Sequence, residues 1–108
     1  MAKYLLVESR DPWESSGPEQ SRALAATLAR GGDTVTYLLV QNGVLPARRC
    51  PSSSELSSLA AAGVEVLADD FSLRERGIPA DRLAEGVKAS PLDVVVDAMA
   101  EGQKVIWH

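Results

Sequence analysis

The stretch Val64–Ile78, V-E-V-L-A-D-D-F-S-L-R-E-R-G-I, decides how this chain is read. Val64, Val66 and Ala68 alternate with their neighbours as residues of a strand do. The acidic pair Asp69 and Asp70 ends the run. Ser72 and Glu75 then stand at the spacing of a capping box, in which the serine hydroxyl accepts the Glu75 N–H and Glu75 reaches back. Gly77 closes a short helix. The unit is a strand, an acidic turn and a helix N-terminus. In an open α/β sheet, ligands bind at the carboxyl ends of the strands, where helix N-termini present unpaired N–H groups. A site in this chain is expected to include this turn.

The same alternation extends in both directions. Lys3–Glu8 is an apolar run with a polar end, the pattern of a strand buried on both faces. Ser9–Gly17 is a polar loop carrying Trp13. Pro18 suits the first position of a helix, with Glu19 beside it to favour the dipole, and the helix runs to about Arg30 before Gly31 and Gly32 stop it. Thr34–Val40 is a β-branched second strand, turned at Gln41-Asn42-Gly43. Val44–Pro51 is irregular. Ser52 with Glu55 repeats the capping pattern, and Leu56, Leu59 and Ala60 give the following helix an apolar stripe that ends at Gly63. Beyond the central unit, Pro79–Glu85 is a polar connection and Gly86–Ala89 a very short strand. Ser90, Pro91 and Asp93 form a third cap. Val94-Val95-Val96 alone suggests a strand, but the cap before it and Gly102 after it favour a helix. Gln103–Trp107 is a last strand. Strands separated by helices imply right-handed crossovers, hence a single domain over residues 1–108 with a mainly parallel sheet covered by helices on both faces.

Composition narrows the function classes. The chain has 108 residues and a net charge of −4, with Lys and Arg scattered and no basic patch, so a nucleic-acid footprint is not expected. No run is long enough to span a membrane, and Met1-Ala2-Lys3-Tyr4 leads straight into a strand rather than a secretion signal. The one cysteine, Cys50, cannot form an internal disulfide and fits a reducing cytoplasm. With Cys50 and His108 the only residues of their types, a metal site built on several His or Cys ligands is not expected. The first strand is not followed by a phosphate-binding glycine fingerprint, so no dinucleotide cofactor is expected either.

The strand ends supply the candidate site. Glu8, Ser9 and Asp11 follow the first strand, Gln41 and Asn42 the second, Asp69, Asp70 and Ser72 the third, and Lys88 and Ser90 the fourth. The set is polar and acidic, without a nucleophile–base pair. The plain reading of such a set is caps and turn formers; the sharper one is a small-molecule cleft. Asp69 and Asp70 are neighbours on a strand end and point opposite ways, so they do not form a facing carboxylate pair. Cys50 lies beside Arg48 and Arg49, whose charge favours a thiolate.

The order of these elements resembles the DsrE/DsrF/DsrH-like family, which includes the Tus sulfur-relay subunits. The resemblance rests on Lys3-Tyr4-Leu5-Leu6-Val7, on Thr34–Val44, on Gly63–Ala68, on Arg76-Gly77-Ile78 and on Trp107 near the C-terminus, and it spans nearly the whole chain. It implies a three-layer α/β/α sandwich with a five-stranded sheet, and homo-oligomers, commonly trimers or hexamers. In sulfur-carrying members a cysteine sits just after the third strand, where a helix N-terminus lowers the thiol pKa and the thiolate passes sulfane sulfur. Here that place reads Ala68-Asp69-Asp70-Phe71-Ser72, without a cysteine. The expectation is a non-catalytic binding or assembly subunit with a cleft at Asp69–Ser72. The alternatives are a sulfur carrier using Cys50 and a small-molecule binder. Trp13 and Trp107 are expected at subunit contacts.

Overall fold

The computed structural model describes residues 2–50 and 53–108. Strands and helices alternate: β1 (Lys3–Glu8), α1 (Gly17–Arg30), β2 (Thr34–Leu39), α2 (Ser54–Ala61), β3 (Glu65–Asp69), α3 (Asp70–Glu75), β4 (Val87–Ser90), α4 (Asp93–Ala100) and β5 (Lys104–Trp107). Two 3-10 segments, Gln41–Ala47 and Ala80–Arg82, occupy the longer connections. The five strands lie in the order β4-β3-β2-β1-β5, and every neighbouring pair is parallel.

The pleat sorts the apolar strand residues into two layers. Leu6, Tyr37, Leu39, Val66 and Ala68 face one side and pack with Ala25 of α1, Leu56 and Leu59 of α2 and Leu73 of α3. Leu5, Val7, Leu38, Val40 and Leu67 face the other side and meet Ala98, Val94 and Val95 of α4. The result is the three-layer α/β/α sandwich that the family resemblance implied, with three helices on one face and one on the other among the described residues. The Val94-Val95-Val96 run is helical. Val94, Val95 and Ala98 lie on the sheet side of one helix face, while Val96 and Met99 stay exposed. Burial of that stripe outweighs the modest helix penalty of β-branched side chains.

The caps differ from the expectation. Ser72 does not open α3. It sits inside the helix, and Asp69 is the N-cap, its side chain accepting the Ser72 N–H at 3.1 Å. Asp69 is also the last residue of β3, in register with Ser90 of β4, so strand and helix meet with no linker. The third cap is corrected too. Ser90 belongs to β4, its hydroxyl donating to the Pro91 carbonyl, and Leu92 precedes α4 with no side-chain cap. Ser52, expected to cap α2, lies outside the described residues. The residue before α2, Ser53, gives its hydroxyl to the Cys50 carbonyl at 2.6 Å rather than to the helix.

Candidate functional site

The connections after β1, β2 and β3 lead to helices on one face of the sheet, and the connection after β4 leads to α4 on the other. A crevice is expected at the carboxyl edge where such connections diverge. A cleft of about 430 Å3 lies there. Of the residues expected in it, Ser9, Gln41, Asn42, Asp69 and Ser72 line the walls.

Four of these residues are knit together, and Ser9 is tied to the C-terminal strand instead. The Ser72 hydroxyl donates to Asp69 Oδ2 at 2.7 Å and accepts the Gln41 N–H at 2.8 Å, which ties β3 to the turn after β2. Gln41 adopts φ 51°, the left-handed region that side chains seldom occupy. Asn42 Oδ1 accepts from Arg76 Nε at 3.2 Å and Nη2 at 3.0 Å, and Arg76 Nη1 donates to the Ser72 carbonyl at 3.2 Å. Ser9 donates its hydroxyl to the His108 carbonyl at 2.9 Å. Asp69 is 5% exposed and both of the bonds to Ser72 fall on Oδ2. Its Oδ1 is buried and has no hydrogen-bond partner among the described residues. A buried acceptor left unpaired costs about 1–3 kcal/mol.

Three of the expected residues are not in the cleft. Glu8 shares the face of Leu6, so the pleat turns its side chain away from the cleft. It is buried and accepts from Ser21 Oγ at 2.7 Å, from the Arg10 N–H at 3.0 Å and from His108 Nδ1 at 3.1 Å. Ser21 also meets the Tyr37 hydroxyl at 2.6 Å. With the single Ser21 proton directed at Glu8, Tyr37 is the donor in that contact. Burial pushes the Tyr37 pKa up to about 12, outweighing the bond to Ser21 that pulls it down, while the nearby Glu8 adds to the rise. Asp11 closes its own turn, accepting the Trp13 N–H at 2.9 Å. Asp70 turns outward, half-buried, with Arg74 Nη1 at 3.8 Å. As expected, the two aspartates do not face each other.

Cys50 lines neither the cleft nor the cavity beside it. Among the described residues, no group of three or more His, Cys, Asp or Glu side chains is placed to hold a metal ion. No helix among them is long and apolar enough to cross a membrane. Sequence reasoning missed six cleft residues: Val40, Phe71, Glu75, Arg76, Leu92 and Trp107. Arg76 was the most accessible of these, since it stands one turn beyond Ser72 on the same helix face. The expectation of scattered cations also needs correction. Arg48, Arg49, Arg76 and Arg82 line one cavity next to the cleft.

A parallel five-stranded sandwich with a polar crevice at its carboxyl edge defines a class of small α/β proteins. Within that class the chain belongs to the DsrE/DsrF-like family, whose pattern matches residues 3–108. The fold agrees with that of the YchN protein from E. coli, with a TM-score of 0.89, 22% identity and full coverage of both chains. MTH1491 from Methanobacterium thermoautotrophicum, a protein of unknown function, gives a TM-score of 0.77 at 24% identity, again over the whole of both chains. BT1422 from Bacteroides thetaiotaomicron, a conserved protein of unknown function, gives 0.80 at 14% identity, covering 98% of this chain and 94% of that one. No curated protein matches the chain.

Proposed function

We propose that this chain is a non-catalytic DsrE-family subunit that binds a small polar ligand or a protein partner and does not itself carry sulfur. The turn after β3 carries the argument. It reads Asp69-Asp70-Phe71-Ser72 where sulfur-carrying relatives are expected to hold a cysteine, and Asp69 is committed to capping α3. A carboxylate supplies negative charge there but cannot form a persulfide. The unpaired Asp69 Oδ1 favours a ligand that presents a hydrogen-bond donor, with Phe71, Leu92 and Trp107 as an apolar rim. The lone cysteine fits a reducing, cytoplasmic setting. Incubation with a polysulfide donor, removal of the excess and intact mass measurement will show no retained sulfur. Sulfur kept by the wild type and by Cys50→Ser alike would overturn the reading. Sulfur lost on Cys50→Ser would make Cys50 the carrier and Arg48–Pro51 the active loop.

The subunit acts as a homo-oligomer, a trimer or hexamer being the family's common form. Support comes from apolar surface that one copy leaves uncovered. Trp13 is 62% exposed, Val96 66%, Met99 65% and Trp107 58%. Leu92 just before α4 and Val96 and Met99 within it follow one another at helical spacing, and α4 is the only helix on its face of the sheet among the described residues. Large apolar side chains gathered on one surface mark interaction sites. Sedimentation at micromolar concentration will give a mass of at least three chains, and Val96→Glu with Met99→Glu will lower it. A wild type that sediments as one chain would contradict the assembly.

A further inference from the structure

We propose a second binding site, for a phosphorylated small molecule, in the cavity beside the cleft. Its volume is about 540 Å3, within the range of roughly 300–1,000 Å3 typical of ligand pockets. Four arginines line it, Arg48, Arg49, Arg76 and Arg82, and no carboxylate does. This concentration of positive charge occurs in a chain whose net charge is −4.

Backbone pairing holds three of these arginines, Arg48, Arg49 and Arg82, together. Arg48 and Leu83 form an isolated antiparallel bridge between the segment after β2 and the segment before β4. The Arg49 N–H donates to the Arg82 carbonyl at 2.8 Å and the Ala84 N–H to the Ala47 carbonyl at 2.8 Å. The bridge therefore sets Arg49 opposite Arg82. Like charges directly opposite on paired segments repel, solvent screens these exposed groups in part, and an anion between them would relieve the rest.

Their remaining contacts do not offset the charge. Arg48 Nε donates to the Leu45 carbonyl at 3.1 Å, and Arg76 donates to Asn42 Oδ1 and the Ser72 carbonyl. All of these acceptors are neutral. The ion pairs among the described residues involve Arg22, Arg74 and His108, and none of the four cavity arginines. Asp81 adjoins Arg82 in sequence and Glu75 adjoins Arg76, yet neither lines the cavity.

Guanidinium groups present paired donors in a planar fork that matches a phosphate, and several of them compensate a multivalent anion better than a single carboxylate. Ile78 and Pro79 give the same cavity an apolar wall for an organic body. The cavity is local rather than a basic stripe, which favours a small molecule over a nucleic acid. Arg76 lines both the cavity and the cleft, so occupancy here bears directly on Asn42 and Ser72.

Titration of the full chain with inorganic pyrophosphate, followed by calorimetry and by melting temperature, tests the site. The wild type will bind saturably and melt higher with the probe. The double variant Arg49→Gln with Arg82→Gln will lose roughly tenfold to a hundredfold in affinity, as expected for lost charge-assisted hydrogen bonds. In anion-free buffer it will melt at or above the wild type, because the repulsion is gone. Arg74→Gln with Arg30→Gln, which removes the same charge outside the cavity, will bind as the wild type does. Absence of saturable binding would overturn the proposal, as would equal losses in the two double variants. A cavity variant that melts below the wild type without anion would make the arginines structural. A single-stranded RNA oligomer that binds more tightly than pyrophosphate, and is lost with the same variant, would replace the small molecule with nucleic acid.

Discussion

Glu8→Ala lowers the melting temperature by on the order of 15 °C, which corresponds to about 3 kcal/mol in a domain of this size. Glu8 is 1% exposed at the end of β1, and its carboxyl group terminates a chain of hydrogen bonds that runs from the Tyr37 hydroxyl through Ser21 Oγ. Three donors lose their acceptor together. His108 is partly exposed and turns to water at little cost, and the Arg10 N–H is only part-buried. The Ser21 hydroxyl is left with only the longer contact to the Pro18 carbonyl at 3.2 Å, while Tyr37 keeps its bond to Ser21. Loss of the buried bond from Ser21 to the carboxylate costs about 1.5–3 kcal/mol, and the cavity adds to that. Glu8→Gln keeps the shape and one carbonyl acceptor, so its loss will be less than half as large. Thermal denaturation followed by circular dichroism checks the pair. An alanine variant that melts within a few degrees of the wild type would show that this network does not hold β1 to α1.

How legible this was in advance differs by level. The alternation of strand and helix was open to inspection, because periods of two and 3.6 are local properties. The caps were not. Asp69 and Ser72 have the spacing of a cap and its N3 residue, and so do Ser72 and Glu75. Pairing of Asp69 with Ser90 holds Asp69 extended at φ −61° and ψ 121°, which makes it the cap. That pairing is long-range and leaves no trace in the short pattern. The place of Glu8 turned on pleat parity. It shares a face with Leu6, and only the packing of α1 on that face says which side is closed. The arginine cavity was the least legible feature. Its members come from three separate segments, two of them joined by an isolated bridge that no periodicity announces.

Gly43→Ala destabilises the protein by about 3 kcal/mol, the upper end of what forced overpacking costs. Gly43 lies in the 3-10 segment after β2, packed against the end of β1. A Cβ there would run into the Glu8 carbonyl oxygen and stand 3.1 Å from the Glu8 carbonyl carbon and 3.4 Å from that of Ser9. Every one of these atoms is backbone, so no side chain can swing aside. The same Glu8 carbonyl accepts the Val40 N–H at 2.9 Å, which binds β1 to the end of β2. Relief therefore requires the segment that carries Gln41 and Asn42 to move away from β1. The cleft opens with it, and the bond from the Gln41 N–H to Ser72 Oγ is strained. Gly63 supplies the contrast. It has φ +100° and nothing within 4 Å of an added Cβ, so Gly63→Ala costs about 1 kcal/mol from backbone conformation alone. Urea denaturation of the two variants side by side will rank Gly43→Ala as clearly the more damaging. The reverse order would mean that the turn after β2 yields easily, and that the cleft does not depend on its close approach to β1.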